Sequence, residues 1–202
     1  MDRREFIYTS AIATAGILVG TNANAASQKG NIIKLPKPNL KNDKPLMQCL
    51  KHRESNRNLS NKELDLNILS AILWAAWGIN RDNGKHVVPT ANNKQQIVVY
   101  AVRGDGTWEY NPKDHSIKCV IEGDMRNKFD NSGLIILYAA PQNDKFAPLH
   151  VGSMYQNVGL MCASLNLANC VKHTKHDALD KELNLPQDYR SYIAHSIAEV
   201  KV

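Results

Sequence analysis

The run "GLIILYAA", Gly133 to Ala140, carries no charged side chain and only one hydroxyl, that of Tyr138. Successive side chains of a β-strand point to opposite faces, so a strand apolar at every position is expected at the centre of a sheet, covered on both sides. The rest of the chain must supply those covers and the neighbouring strands.

"LSNKELDLNILSAILWAAWGIN" is the strongest helix signal. Leu66, Leu69, Ile72, Leu73 and Ala76 recur at helical intervals, and Gly78 stands where a helix stops. Ser60 and Glu63 have capping-box spacing, with Asp65 as a rival N-cap. "VGSMYQNVGLMCASLNLA" reads as a second, largely apolar helix. "QQIVVYAV" and "TWEY", joined by a turn at Gly104, Asp105 and Gly106, read as a hairpin, and "SYIAHSIAEVKV" as a last strand. Helices and strands interleave around a mostly antiparallel pattern, which predicts an α+β fold with a central sheet flanked by helices.

A length of 202 residues suits one domain. Residues 1–25, "MDRREFIYTSAIATAGILVGTNANA", have a charged start with Arg3 and Arg4, an apolar stretch and a small-residue ending. That layout is expected of a cleaved export signal, and its opening resembles the twin-arginine type. An uncleaved anchor or a buried N-terminal helix is the alternative. Export would place the mature protein in the periplasm or outside the cell, and no stable membrane span is expected in the mature chain. Residues 26–45 hold three prolines and read as an extended arm, leaving 46–202 as the domain.

The net charge is +6 at pH 7, and removing the leader takes away two residues of each sign. The excess favours anionic ligands. No run of like charges gathers it, so no nucleic-acid partner is expected. Cys49, Cys119, Cys162 and Cys170 form no CxxC pair, and His173 and His176 lack a third ligand in register, so no metal site is expected. Hydrolase chemistry has no nucleophile motif to support it.

Two polar segments carry the functional signal. In "KHRESNRNLS", Arg53, Ser55 and Arg57 occupy alternate positions, so an extended chain points all three to one side. Two guanidinium forks and a hydroxyl suit a phosphate, although a solvated basic patch has the same composition. In "VVPTANNKQQIVVY", neutral hydrogen-bonding side chains crowd the mouth of a strand. Amides both donate and accept, which suits the heteroatom edge of a flat ring; an ordinary polar turn is the plainer reading. Trp74, Trp77 and Tyr155 could stack on such a ring, with core packing the favoured reading.

The order of these pieces resembles the FMN-dependent nitroreductase family. R-x-S-x-R (Arg53, Ser55, Arg57) is followed by "ILWAAWGINR", then by Pro89, Thr90, Asn93 and Gln95, then by Gly152, Gln156 and Asn157. The likeness runs from about Leu46 to Lys201 and is nearest the SagB-type, azoline-dehydrogenase-like branch. It implies a nitroreductase-like fold and a homodimer with FMN in two interfacial clefts. It also implies hydride transfer through flavin N5, by alternating half-reactions with small-molecule donors and acceptors.

By the same resemblance, Arg53, Ser55 and Arg57 take the phosphate and ribityl chain. Asn93 and Gln95 approach the ring edge, while Pro89, Thr90 and Ala91 head that segment, the last two as a partner-side wall. Gln156 and Lys201 are further cofactor contacts, and no catalytic side chain is required. Three departures stand out: Glu54 within the arginine motif, His150 where an acidic residue is usual, and Ala198 and Val200 in place of a strand-ending Gly and Pro. The first and the last motivate an alternative, a flavin- or small-molecule-binding protein without turnover.

Overall fold

The computed structural model describes residues 29–41, 44–173 and 176–202. The proposed leader lies outside them. In chain order the elements are β1 (Ile32–Lys34), α1 (Leu46–His52), α2 (Leu66–Trp77), β2 (Val98–Arg103), β3 (Gly106–Asn111), β4 (Ser116–Glu122), β5 (Leu134–Pro141), α3 (Ala147–Leu165), β6 (Ala168–His173), α4 (His176–Glu182) and β7 (Tyr189–Ala198).

The seven strands form one antiparallel sheet in the order β1-β4-β3-β2-β5-β7-β6. The apolar run is β5, buried at every position between β2 and β7. Its alternation divides the core. Leu134, Ile136, Tyr138 and Ala140 meet Leu69, Ile72, Leu73, Met154 and Val158 of α2 and α3. Ile135, Leu137 and Ala139 face the other way, toward Leu179 and Leu183 on and just after α4 and toward Met125. Two covers on one strand are what an unbroken apolar run demands.

The start of α2 settles between its two candidate caps. Asp65 is the N-cap, its carboxylate accepting from the N–H groups of Asn67 and Ile68 at 2.7 and 3.0 Å. The Ser60–Glu63 capping box does not form. Glu63 instead accepts from Gly104 N–H at 2.9 Å and pairs with Arg103 at 3.0 Å and Arg126 at 3.5 Å. The backbone at Ser60 is held by Gly133 and Glu199. A segment laced to the sheet cannot also wind into a first helical turn.

α3 begins at Ala147, ahead of the expected start at Val151, because Pro148 fits a first turn. It ends at Asn166 in a left-handed conformation (φ 56°), and Ala168 already belongs to β6. The described part of the proline-containing arm contributes the edge strand β1 and the buried Leu35. All four cysteines are buried, and no disulfide joins them. No helix among the described residues is long and apolar enough to cross a membrane.

Candidate functional site

α1 ends at His52, and Arg53 leaves it with extended backbone (φ −63°, ψ 118°). The following loop is tied to the ends of β6 and β7. Asn56 N–H donates to the Asn169 carbonyl at 2.8 Å, Lys201 N–H donates to the Asn58 carbonyl at 3.0 Å, and a bridge joins Leu59 to Val200. His52, Glu54 and Asn56 line a cavity of about 400 Å³ together with Lys44, Asn166 and Asn169. Arg53, Ser55 and Arg57 are absent from its wall, as the alternation of an extended chain requires.

The Arg53 stem crosses Gly159 of α3, where an added Cβ would lie 3.5 Å from Arg53 Cγ. Lys201, exposed beside Asn58, brings a third cation to the end of the molecule that holds Arg53 and Arg57.

The second expected group is a tight turn before β2. Asn93 N–H donates to the Thr90 carbonyl at 3.1 Å, Gln95 N–H to Thr90 Oγ1 at 3.3 Å, and Gln95 Nε2 to Asn93 Oδ1 at 2.7 Å. Asn92, Asn93 and Gln95 have φ of 54°, 54° and 49°. Asparagine enters this region readily and glutamine less so, so the turn is held by its surroundings. Two holds come from α3 and the loop just before it. Ala91 N–H donates to His150 Nε2 at 2.8 Å, and Lys94 pairs with Asp144 at 3.1 Å. His150, unusual against the motif, thus acts as an acceptor that pins the turn. Pro89 and Asn93 are exposed, and Thr90, Ala91 and Gln95 half-buried.

α3 is the spine between the two groups. From His150, at the turn, to Gly159, under Arg53, the helix advances about 14 Å. Gln156 lies between them, exposed. Asn157 donates to the Ala75 carbonyl of α2 at 3.3 Å. Both residues sit well inside the helix, so neither caps its start. Trp77 is core, stacked on His86 at 3.8 Å between centroids, whereas Tyr155 stays part-exposed with its edge toward His195. Among the described residues no three His, Cys, Asp or Glu side chains gather as a metal site.

Residues 50–198 match the family model described as "Nitroreductase family". The chain belongs to the nitroreductase family. It is similar to a candidate nitroreductase of Methanocaldococcus jannaschii, 25% identical over 79% of this chain and 93% of that protein. Among solved structures it resembles a candidate nitroreductase of Ralstonia eutropha, with a TM-score of 0.76, 27% identity, and coverage of 90% and 92% of the two chains. An FMN-dependent nitroreductase of Clostridium difficile shares the fold, with a TM-score of 0.54 at 11% identity over 77% and 90% of the two chains.

Within this nitroreductase-family fold, the arginine loop and the amide turn contain most of the residues expected from sequence. Missing from that expectation were the residues that hold them. Asn169 and His195 interrupt apolar strands and are buried at 6% and 0% exposure. A polar side chain at an inward strand position was the available signal, because a buried polar group needs a partner.

Proposed function

We propose that this nitroreductase-family protein is an FMN-dependent oxidoreductase whose cofactor lies between the arginine loop of one chain and the amide turn of a second copy. The observation that carries this reading is that the loop bearing Arg53, Ser55 and Arg57 is fastened beside α3, with Asn56 N–H bonded to the Asn169 carbonyl and the Arg53 stem against Gly159. The donor set fits the cofactor. Arg53, Arg57 and the Ser55 hydroxyl would hold the phosphate and ribityl chain, with Lys201 alongside. Once Gln95 and Asn93 have bonded to each other, Asn93 Nδ2 and Gln95 Oε1 remain as one donor and one acceptor for a ring edge.

When bound, FMN supplies hydride transfer between a donor and an acceptor. The chain's own residues bind and orient it, and neutral amides do so without fixing a charge beside a group that changes charge. A second copy also accounts for apolar side chains left in the open: Leu46, Met47 and Leu50 on α1, and Leu149 on α3, are 46–73% exposed. Thr90 and Ala91 would then form the partner-side wall, and Asn93 and Gln95, hydrogen-bonded within the same turn, would come with them.

The motif order favours a place beside the SagB-type members, with the substrate open. With the twin-arginine-like leader we infer export after folding, which suits a protein that acquires a cofactor first. No NAD(P)H pool is expected outside the cytoplasm, so either the donor is another reductant, the enzyme oxidises its substrate, or residues 1–25 are not an export signal.

The visible spectrum tests the reading. A flavin band that bleaches with a reductant and returns with an acceptor is the expected result. A colourless protein that FMN cannot reconstitute would contradict it and favour a scaffold without turnover.

A further inference from the structure

Behind the arginine loop lies a chain of neutral hydrogen bonds that begins in the core. Tyr138 on β5 and His195 on β7 are both fully buried, with the Tyr138 hydroxyl 3.4 Å from His195 Nδ1. His195 Nε2 lies 3.0 Å from Asn169 Oδ1 on β6, and Asn169 Nδ2 lies 3.5 Å from the Glu54 carbonyl. The Asn169 carbonyl accepts from Asn56 N–H at 2.8 Å. Asn169 thus holds the peptide groups on both sides of Ser55.

The direction of the chain follows from its ends. A carbonyl oxygen only accepts, so the amide nitrogen of Asn169 faces Glu54 and its oxygen faces His195. Nε2 of His195 then carries the proton, and Nδ1 accepts from Tyr138. Burial holds the imidazole neutral, its pKa pushed down to about 3. Were the Nε2–H donor removed, the Asn169 amide would be free to reverse and present an oxygen to the Glu54 carbonyl. Two acceptors repel, and the loop would leave its place. Gly159 adjoins the same point: a Cβ there would make ordinary contact with Arg53 Cγ at 3.5 Å and Asn169 Oδ1 at 3.7 Å.

We propose that His195, supported by Tyr138 and acting through Asn169, is a positioning residue for the anion-binding loop, orienting Arg53, Ser55 and Arg57 toward phosphate. This rests on the FMN reading above. Its particular claim is that the relay serves the phosphate half of the ligand alone.

Titration of the protein with FMN and with riboflavin, which lacks the phosphate, separates that claim from general damage. His195→Asn cannot reach Asn169, whereas His195→Gln places an amide nitrogen near the former Nε2. His195→Asn is expected to weaken FMN roughly tenfold and riboflavin less than about twofold, with the flavin midpoint potential unmoved; His195→Gln should recover most of the loss. An unchanged preference for FMN, or equal losses for both ligands, would overturn the proposal.

Tyr138→Phe keeps the core filled and serves if His195→Asn does not fold, with about a two- to threefold drop in the same preference expected. No FMN binding by the wild type would defeat the cofactor reading instead. The relay is then read without ligand, from exchange of the Asn56 amide. Faster exchange in Tyr138→Phe, with β5 still protected, supports the relay, and unchanged exchange refutes it.

Discussion

Asp65 and His195 each decide something out of proportion to one residue. Asp65 accepts from two N–H groups at the start of α2, so Asp65→Ala should cost about 1 kcal/mol of stability, while Ser60→Ala leaves the cap intact. Equilibrium denaturation of the two variants checks this; equal losses would argue for the capping box after all. The pH dependence follows from His195. With its folded pKa lowered to about 3, the unfolded chain binds a proton that the folded chain lacks between about 3 and the ordinary 6.5. Stability is therefore full above 6.5 and falls as pH drops through that window, by at most about 1.4 kcal/mol per pH unit. Desolvation of His86 and His115 acts in the same sense. Denaturation curves between pH 7 and 4.5 should be flatter for His195→Gln than for the wild type. Parallel curves would show that His195 is not held neutral.

Elements were legible where periodicity was strong. β5, α2 and the β2–β3 hairpin follow from apolar pattern and turn residues alone. β4 and β6 were not anticipated. "SIKCVIE" mixes Lys118 and Glu122 into its pattern, and β6 follows α3 after only Asn166 and Leu167, so it reads as the tail of an apolar helix. How elements fasten together was invisible as well. Gly133 shows this, because a Cβ there would lie 2.1 Å from the Lys62 carbonyl oxygen, closing the gap through which the 59–64 segment meets β5. Gly133→Ala should destabilise by roughly 1–3 kcal/mol through that clash. A thermal melt within a degree of wild type would show that the contact yields.

At the scale of the molecule, the two polar groups could be picked out in the sequence but their spatial division could not. The proposed function assigns the arginines and serine to a phosphate and the amides to a ring edge. Only the fold shows the two groups at different stations along α3, one at His150 and the other at Gly159. The holding residues Asn169 and His195 come from strands far along the chain, a relation no local pattern encodes. If it is a dimer with shared sites, as proposed, the protein should melt at a higher temperature with FMN, since a ligand of the assembled state stabilises that state. Within one site, Arg53→Ala should weaken FMN by ten- to a hundredfold on the order of a charged hydrogen bond, with the midpoint potential unchanged. Asn93→Ala should shift that potential as well as the affinity. Mixing these two variants tests the account most directly. If each site joins the loop of one chain to the turn of the other, every mixed dimer contains one site with Arg53 and Asn93 both present. After subunit exchange about a quarter of all sites should then bind FMN with wild-type affinity. If both residues serve the same chain's site, no site is repaired, and a mixture that binds no better than its parents would contradict the shared cleft.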